Sequence, residues 1–206
     1  MKYTDIVFDF DGTLSDTYPC FTRALLDTLD YYGLSDTYES AYAKLKVSVG
    51  HALKSYVFPV PYETVNHVFH AFHVKRAPLE QKPYEGAEDI LRFVKESGGR
   101  NYVFTHSGKI VTNLLELWGF MKYIDGMLDS TEHVRRKPDP EGLLRLMDRY
   151  SVDPRFALMV GDRDIDTDCG KNGGIASCLF DPEGYYPETR ADYKVNLLTD
   201  IKDIVR

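Results

Sequence analysis

The sequence predicts an α/β fold: a doubly wound, Rossmann-like parallel sheet that carries an inserted small α-helical domain. Three observations predict it. Short apolar, β-prone runs alternate with amphipathic segments, the pattern of a parallel sheet covered by helices on both faces. One long stretch, residues 15–82, has helical patterning and no convincing strand. Polar residues with chemical capability recur just after the strand-like runs, where open α/β sheets build their sites.

Taken in order, Ile6 to Phe10 is the first strand, and the chain leaves it through Asp9-Phe10-Asp11-Gly12-Thr13. Side chains two apart share a side while a strand persists, so Asp9 and Asp11 are expected to serve one site. Two buried carboxylates need a cation, a proton or hydration, and a divalent metal is the expected answer. Within 15–82, helical patterns run over Cys20 to Tyr32, Tyr38 to Leu45 and Tyr62 to Lys75. A structureless connection of that length would be unusual in a compact domain, so it reads as an insertion, with 1–14 and 83–206 forming the α/β core. In that core, Glu85 to Ser97 reads as a helix closed by Gly98-Gly99, and Lys109 to Trp118 as a helix closed by Gly119. Pro140 to Tyr150 is a third helix, and Tyr102 to Thr105, Ala157 to Val160 and Ile175 to Phe180 are further strands.

Composition narrows the class. A chain of 206 residues that is 43% hydrophobic can bury a substantial core. The formal net charge of -7 and the lack of a Lys/Arg stripe argue against a nucleic-acid binder, Arg135-Arg136-Lys137 being the single basic cluster. Apolar runs fall well short of the roughly 20 residues of a membrane span. The three cysteines, Cys20, Cys169 and Cys178, form no CxxC pair. With no signal-peptide pattern ahead of Asp9, the expected compartment is the cytoplasm. A monomer or homodimer is expected.

The candidate site collects Asp9 and Asp11 after the first strand, Thr105-His106-Ser107 after the second, Lys137-Pro138 in a connection, and Gly161-Asp162-Arg163-Asp164-Ile165-Asp166 after Ala157 to Val160. A nucleophilic carboxylate, a hydroxyl beside free backbone N–H groups, a lysine and metal-binding acids are what phosphoryl transfer through an aspartyl-phosphate requires. Two unit charges about 4 Å apart interact by roughly 4 kcal/mol at an effective dielectric of about 20, so a phosphate dianion needs Mg²⁺ and Lys137 to approach these acids. Each motif has a plainer reading: a solvated turn for Asp9 and Asp11, a strand end for Thr105, a surface turn for Lys137, an acidic helix start for Asp162 onward. Their occurrence in order along one chain favours the site.

That ordered set resembles the haloacid dehalogenase superfamily, in its phosphoglycolate-phosphatase-like branch with a helical cap, and the resemblance spans nearly the whole chain. It implies a nucleophilic Asp9, an Asp11 that protonates the leaving alcohol and then activates water, and phosphoryl oxygens held by Thr105 and the backbone of His106. It also implies that Lys137 steadies Asp9 and the phosphate. Mg²⁺ would sit on the Asp9 carboxylate, the Asp11 carbonyl and Asp162, with Asp166 a ligand or a partner behind the ligands. Arg163 stands where relatives usually have Ser. Asp11 argues against dehalogenation, which dispenses with that acid.

The implied activity is Mg²⁺-dependent hydrolysis of a small phosphorylated metabolite. A sugar-phosphate mutase of the same branch is the alternative, and a receiver-like signalling module is disfavoured by the long insertion. In the insertion, Lys46, Ser48 and His51 are the specificity candidates, in a segment read as joining two helices. No sequence feature marks Lys44, Lys46 or Lys54 for Schiff-base chemistry. His67, His70 and His73 spread over a wide helical arc and are not read as a metal site.

Overall fold

The computed structural model describes residues 1–206. They divide into two compact units, one of Met1–Ser15 with Pro83–Arg206 and one of Asp16–Lys82.

Strand β1 (Asp5–Phe8) opens the first unit, and the two-residue strands β2 (Ser15–Asp16) and β3 (Lys82–Pro83), paired with each other, carry the chain across the division. The second unit is helical: α1 (Tyr18–Tyr31), α2 (Tyr38–Val47), α3 (Val49–Lys54) and α4 (Tyr62–Glu80). Its core gathers Leu25, Leu29, Ala41, Leu45, Leu53, Val65 and Phe69. In α4, Val65, Phe69, His73 and Ala77 recur every fourth residue and are all buried, the stripe a packed helix needs. His73 is satisfied there, its Nε2 3.0 Å from Gln81 Oε1 and its ring edge-on to Phe21, while His67 and His70 are exposed. These histidines form no metal cluster.

Helix α3 is a departure from the sequence reading, which takes 44–51 as joining two helices. Lys46 lies in the last turn of α2 and His51 within α3; Ser48 alone separates them, its hydroxyl accepting the His51 backbone N–H at 2.9 Å. Six residues are too few for periodicity to register, which is why the helix is invisible in the pattern.

The first unit then adds α5 (Ala87–Glu96), β4 (Arg100–Phe104), α6 (Ile110–Leu117), β5 (Ile124–Leu128), α7 (Glu141–Tyr150), β6 (Ala157–Gly161), α8 (Asp164–Asn172), β7 (Ala176–Phe180), β8 (Tyr193–Val195) and α9 (Ile201–Val205). Six strands form one sheet in the order β5-β4-β1-β6-β7-β8, and every pair is parallel. Helices α5 and α7 each bury one apolar face, Ala87, Ile90, Leu91 and Val94 in the first and Leu143, Leu146 and Met147 in the second. The fold is the parallel α/β class expected. Strands β5 and β8 were not legible because each is an edge strand with one partner; β5 contains Asp125 and Gly126, and β8 has three residues. No helix is long and apolar enough to cross a membrane.

Phe69 is wholly buried in the second unit and meets Phe21 edge-on, ring centroids 5.7 Å apart. Phe69→Ala should cost about 3–5 kcal/mol, read as a lower urea midpoint; an unchanged midpoint would contradict this account of the α1–α4 core.

Candidate active site

Strand β1 lies between β4 and β6, and the chain runs outward on one side before returning to the other, so the carboxyl ends of these three strands face one crevice. Asp9 follows β1, Thr105 follows β4 and Asp162 follows β6. Because β1 ends at Phe8, Asp9 and Asp11 lie beyond the strand and its two-residue alternation does not apply to them; Asp11 follows in a turn. The amides of Thr13 and Ser15 donate to Phe10 O, Gly12 N donates to Ser15 O, and Gly12 takes φ 83°, a backbone conformation glycine adopts readily.

Lys137 is at the centre. Its side chain is fully buried, and its three ammonium protons find three acceptors: Asp9 Oδ1 at 2.7 Å, Phe104 O at 2.8 Å and Asp166 Oδ1 at 2.9 Å. Asp9 Oδ2 is buried with no hydrogen-bond partner. Asp9, Asp162 and Asp166 each offer an oxygen, all within 4.8 Å of one another and all buried. Three carboxylates around one ammonium leave a surplus of two negative charges, with the Arg163 Nε 3.9 Å from Asp162 as the next cation. Burial pushes the Asp9 carboxyl up to about 7 against the pull of Lys137, and the Asp166 and Asp162 charges push it the same way. A hard divalent cation fits this all-oxygen set: it balances the surplus and supplies the missing partner of Asp9 Oδ2.

Asp166 is the best anchored of the three acids. Its Oδ1 accepts from Lys137, and its Oδ2 accepts the Arg163 backbone N–H at 3.2 Å while its own N–H donates to Arg163 O, so it also caps α8. Gly161 makes room for it, since a Cβ there would collide with the Asp166 side chain.

Thr105 is buried, and its hydroxyl oxygen accepts the Ser107 N–H at 3.0 Å. That leaves the hydroxyl proton to be donated onward. His106 Nε2 accepts the Lys137 backbone N–H at 2.9 Å, which fixes the loop carrying the lysine. Ser107 Oγ donates to Asp11 Oδ2, a link between two loops that sequence reasoning missed; its only signal was Ser107 lying two residues after Thr105.

The structure therefore brings together Asp9, Asp162, Asp166 and Lys137, and places His106 against the Lys137 backbone. Lys46, Ser48 and His51 belong to the second unit. Lys46 Nζ stands 4.0 Å from the Tyr18 ring centroid, Ser48 caps α3, and His51 is exposed.

A parallel, doubly wound sheet with a lysine-centred carboxylate cluster at its carboxyl edge defines a Rossmann-like α/β protein with a candidate cation-holding site. The chain belongs to the haloacid dehalogenase-like hydrolase family, whose profile matches residues 6–180. It is 27% identical over 176 residues to a phosphoglycolate phosphatase of Aquifex aeolicus, covering 84% of this chain and 83% of that protein. It is 28% identical over 219 aligned positions to the pyrophosphatase PpaX of Halalkalibacterium halodurans, covering 100% of this chain and 98% of that one. A solved structure of a predicted phosphoglycolate phosphatase from Haemophilus somnus shares the fold with a TM-score of 0.86 at 18% identity, covering 100% of this chain and 99% of that one.

His106 yields a pH prediction. Burial, reinforced by the Lys137 and Arg136 charges, lowers its pKa from 6.5 to about 4. A pKa depressed in the folded state gives stability that is present above 6.5 and is lost as pH falls through about 4. Protonation would also remove the acceptor for Lys137 N. Urea midpoints measured across that window should fall with acid more steeply in the native protein than in His106→Gln, and parallel acid limbs would overturn the assignment.

Proposed function

We propose that the protein is a Mg²⁺-dependent phosphatase that hydrolyses a small phosphorylated metabolite through an aspartyl-phosphate on Asp9. The observation that carries this reading is the buried Asp9–Asp162–Asp166 cluster tied to Lys137, whose charge surplus matches a divalent cation. When bound, the cation would supply positive charge to the transferring phosphoryl group. Asp9 and Asp162 are the ligands we propose. Asp166, with both oxygens engaged by Lys137 and the Arg163 amide, stands behind them and fixes the lysine.

In the first half-reaction an Asp9 oxygen forms a bond to phosphorus as the bridging P–O bond breaks, and Asp11 gives its proton to the departing oxygen. In the second, Asp11 takes a proton from water as the water oxygen attacks phosphorus, and the Asp9–phosphorus bond breaks to release inorganic phosphate and restore both acids. Lys137 and the Thr105 hydroxyl would stabilise the charge on the phosphoryl oxygens. The phosphoglycolate phosphatase relative supports a phosphomonoester substrate, and the pyrophosphatase relative brings a phosphoanhydride within the same chemistry.

The deciding experiment is phosphate release over a panel of phosphomonoesters and pyrophosphate, with Mg²⁺ and with EDTA. Turnover should require Mg²⁺, and Asp9→Asn should lower it by at least about a thousandfold with an unchanged circular dichroism spectrum. Turnover in EDTA, or an active Asp9→Asn, would refute the mechanism; phosphate moved to a second position of a sugar instead of released would identify a mutase.

We further propose the second unit as a cap that selects the substrate. Alanine at Lys46, Ser48 or His51 should lower kcat/KM for the best panel substrate by about tenfold to a hundredfold where a hydrogen bond to a charged group is lost. It should leave 4-nitrophenyl phosphate nearly untouched, and equal losses on both substrates would refute a role in selection.

A further inference from the structure

Ser107 is neither a carboxylate of the cluster nor one of the phosphate-holding groups above, yet it links two of the site's loops. Its backbone N–H donates to Thr105 Oγ1 at 3.0 Å, and its carbonyl accepts from Ser130 N at 3.1 Å. The residue is thus held through its main chain on both sides. Its hydroxyl donates to Asp11 Oδ2. Asp11 lies in the turn after β1, in an isolated bridge to Ser15 and beside Gly12 at φ 83°. Ordering such a side chain costs conformational entropy, and a fixed donor at one carboxylate oxygen removes most of that cost before substrate arrives.

We propose that Ser107 is a positioning residue for the reaction: its hydroxyl selects the Asp11 rotamer that faces the bridging oxygen of the substrate. The inference rests on the phosphatase reading above. It deepens that reading by assigning a determinant of which leaving groups the site can expel.

The chemistry separates two classes of ester. An alkoxide departs only if Asp11 delivers its proton while the P–O bond breaks; a 4-nitrophenolate departs without one. Because kcat/KM reports steps only up to departure of the leaving group, it isolates that event from the later attack of water. Ser107→Ala should therefore lower kcat/KM for an alkyl phosphate by about tenfold to a hundredfold, and for 4-nitrophenyl phosphate by no more than about threefold. A burst of nitrophenolate should appear, since attack of water still needs Asp11. Ser107→Thr, which keeps the hydroxyl, should restore the alkyl ester rate.

Ser107→Cys, close to serine in size, provides a second removal of the hydroxyl, and unfolding midpoints with calorimetric Mg²⁺ titration report whether either variant has disturbed the fold or the carboxylate cluster. Equal losses on both esters, or no loss on either, would overturn the proposal. A native protein that hydrolyses no ester of either class would overturn the phosphatase reading itself, and this would be evident before any variant is compared.

Discussion

The buried ammonium of Lys137 is the constraint from which the rest of the site follows. A charge of that kind is tolerated in a protein interior only when each donor is matched and its charge is opposed, and removing one partner of such a pair typically costs about 3–5 kcal/mol. Lys137 meets both conditions through Asp9, Asp166 and the Phe104 carbonyl, which come from the ends of β1 and β4 and from α8. One side chain thereby sets the spacing of three elements. Asp9, Asp162 and Asp166 together exceed its charge, so the arrangement that satisfies the lysine also concentrates negative charge at the strand ends.

The same economy appears at α8. Asp166 closes the first turn of that helix by accepting the Arg163 amide, and it holds the lysine with its other oxygen. Gly161 is where a strand gives way to this turn, and its missing Cβ is the space Asp166 occupies. Local helix-capping chemistry and long-range electrostatics thus meet in a single carboxylate, so shifting the start of α8 would shift the charge balance of the site.

Much of this was legible in the sequence for a physical reason. Parallel strands buried on both faces read as apolar runs, and the acids that follow them are conspicuous by contrast, as at Phe8-Asp9 and Val160-Gly161-Asp162. What escaped notice lacked that contrast. The edge strands β5 and β8 are partly exposed, β8 has three residues, and α3 has six. The period-two argument for Asp9 and Asp11 failed because the strand had already ended. Lys137 was placed in the site by its motif, but its complete burial could not be read beside the exposed Arg135 and Arg136. The link from Ser107 to Asp11 joins residues 96 positions apart, and no local pattern encodes a contact of that range.

The position of β1 has a further consequence. Its residues Asp5 to Phe8 are paired on both sides, to Arg100–Val103 and to Ala157–Val160, and the Asp9 amide still donates to Val160 O at 2.8 Å. Amides in such a place are released to solvent only by the largest openings of a domain. In deuterium exchange, the segment from Ile6 to Asp9 should therefore take up label late, with the other interior strands. Asp9 thus hangs from a strand held on both sides, so openings of the surrounding loops leave its anchor in place.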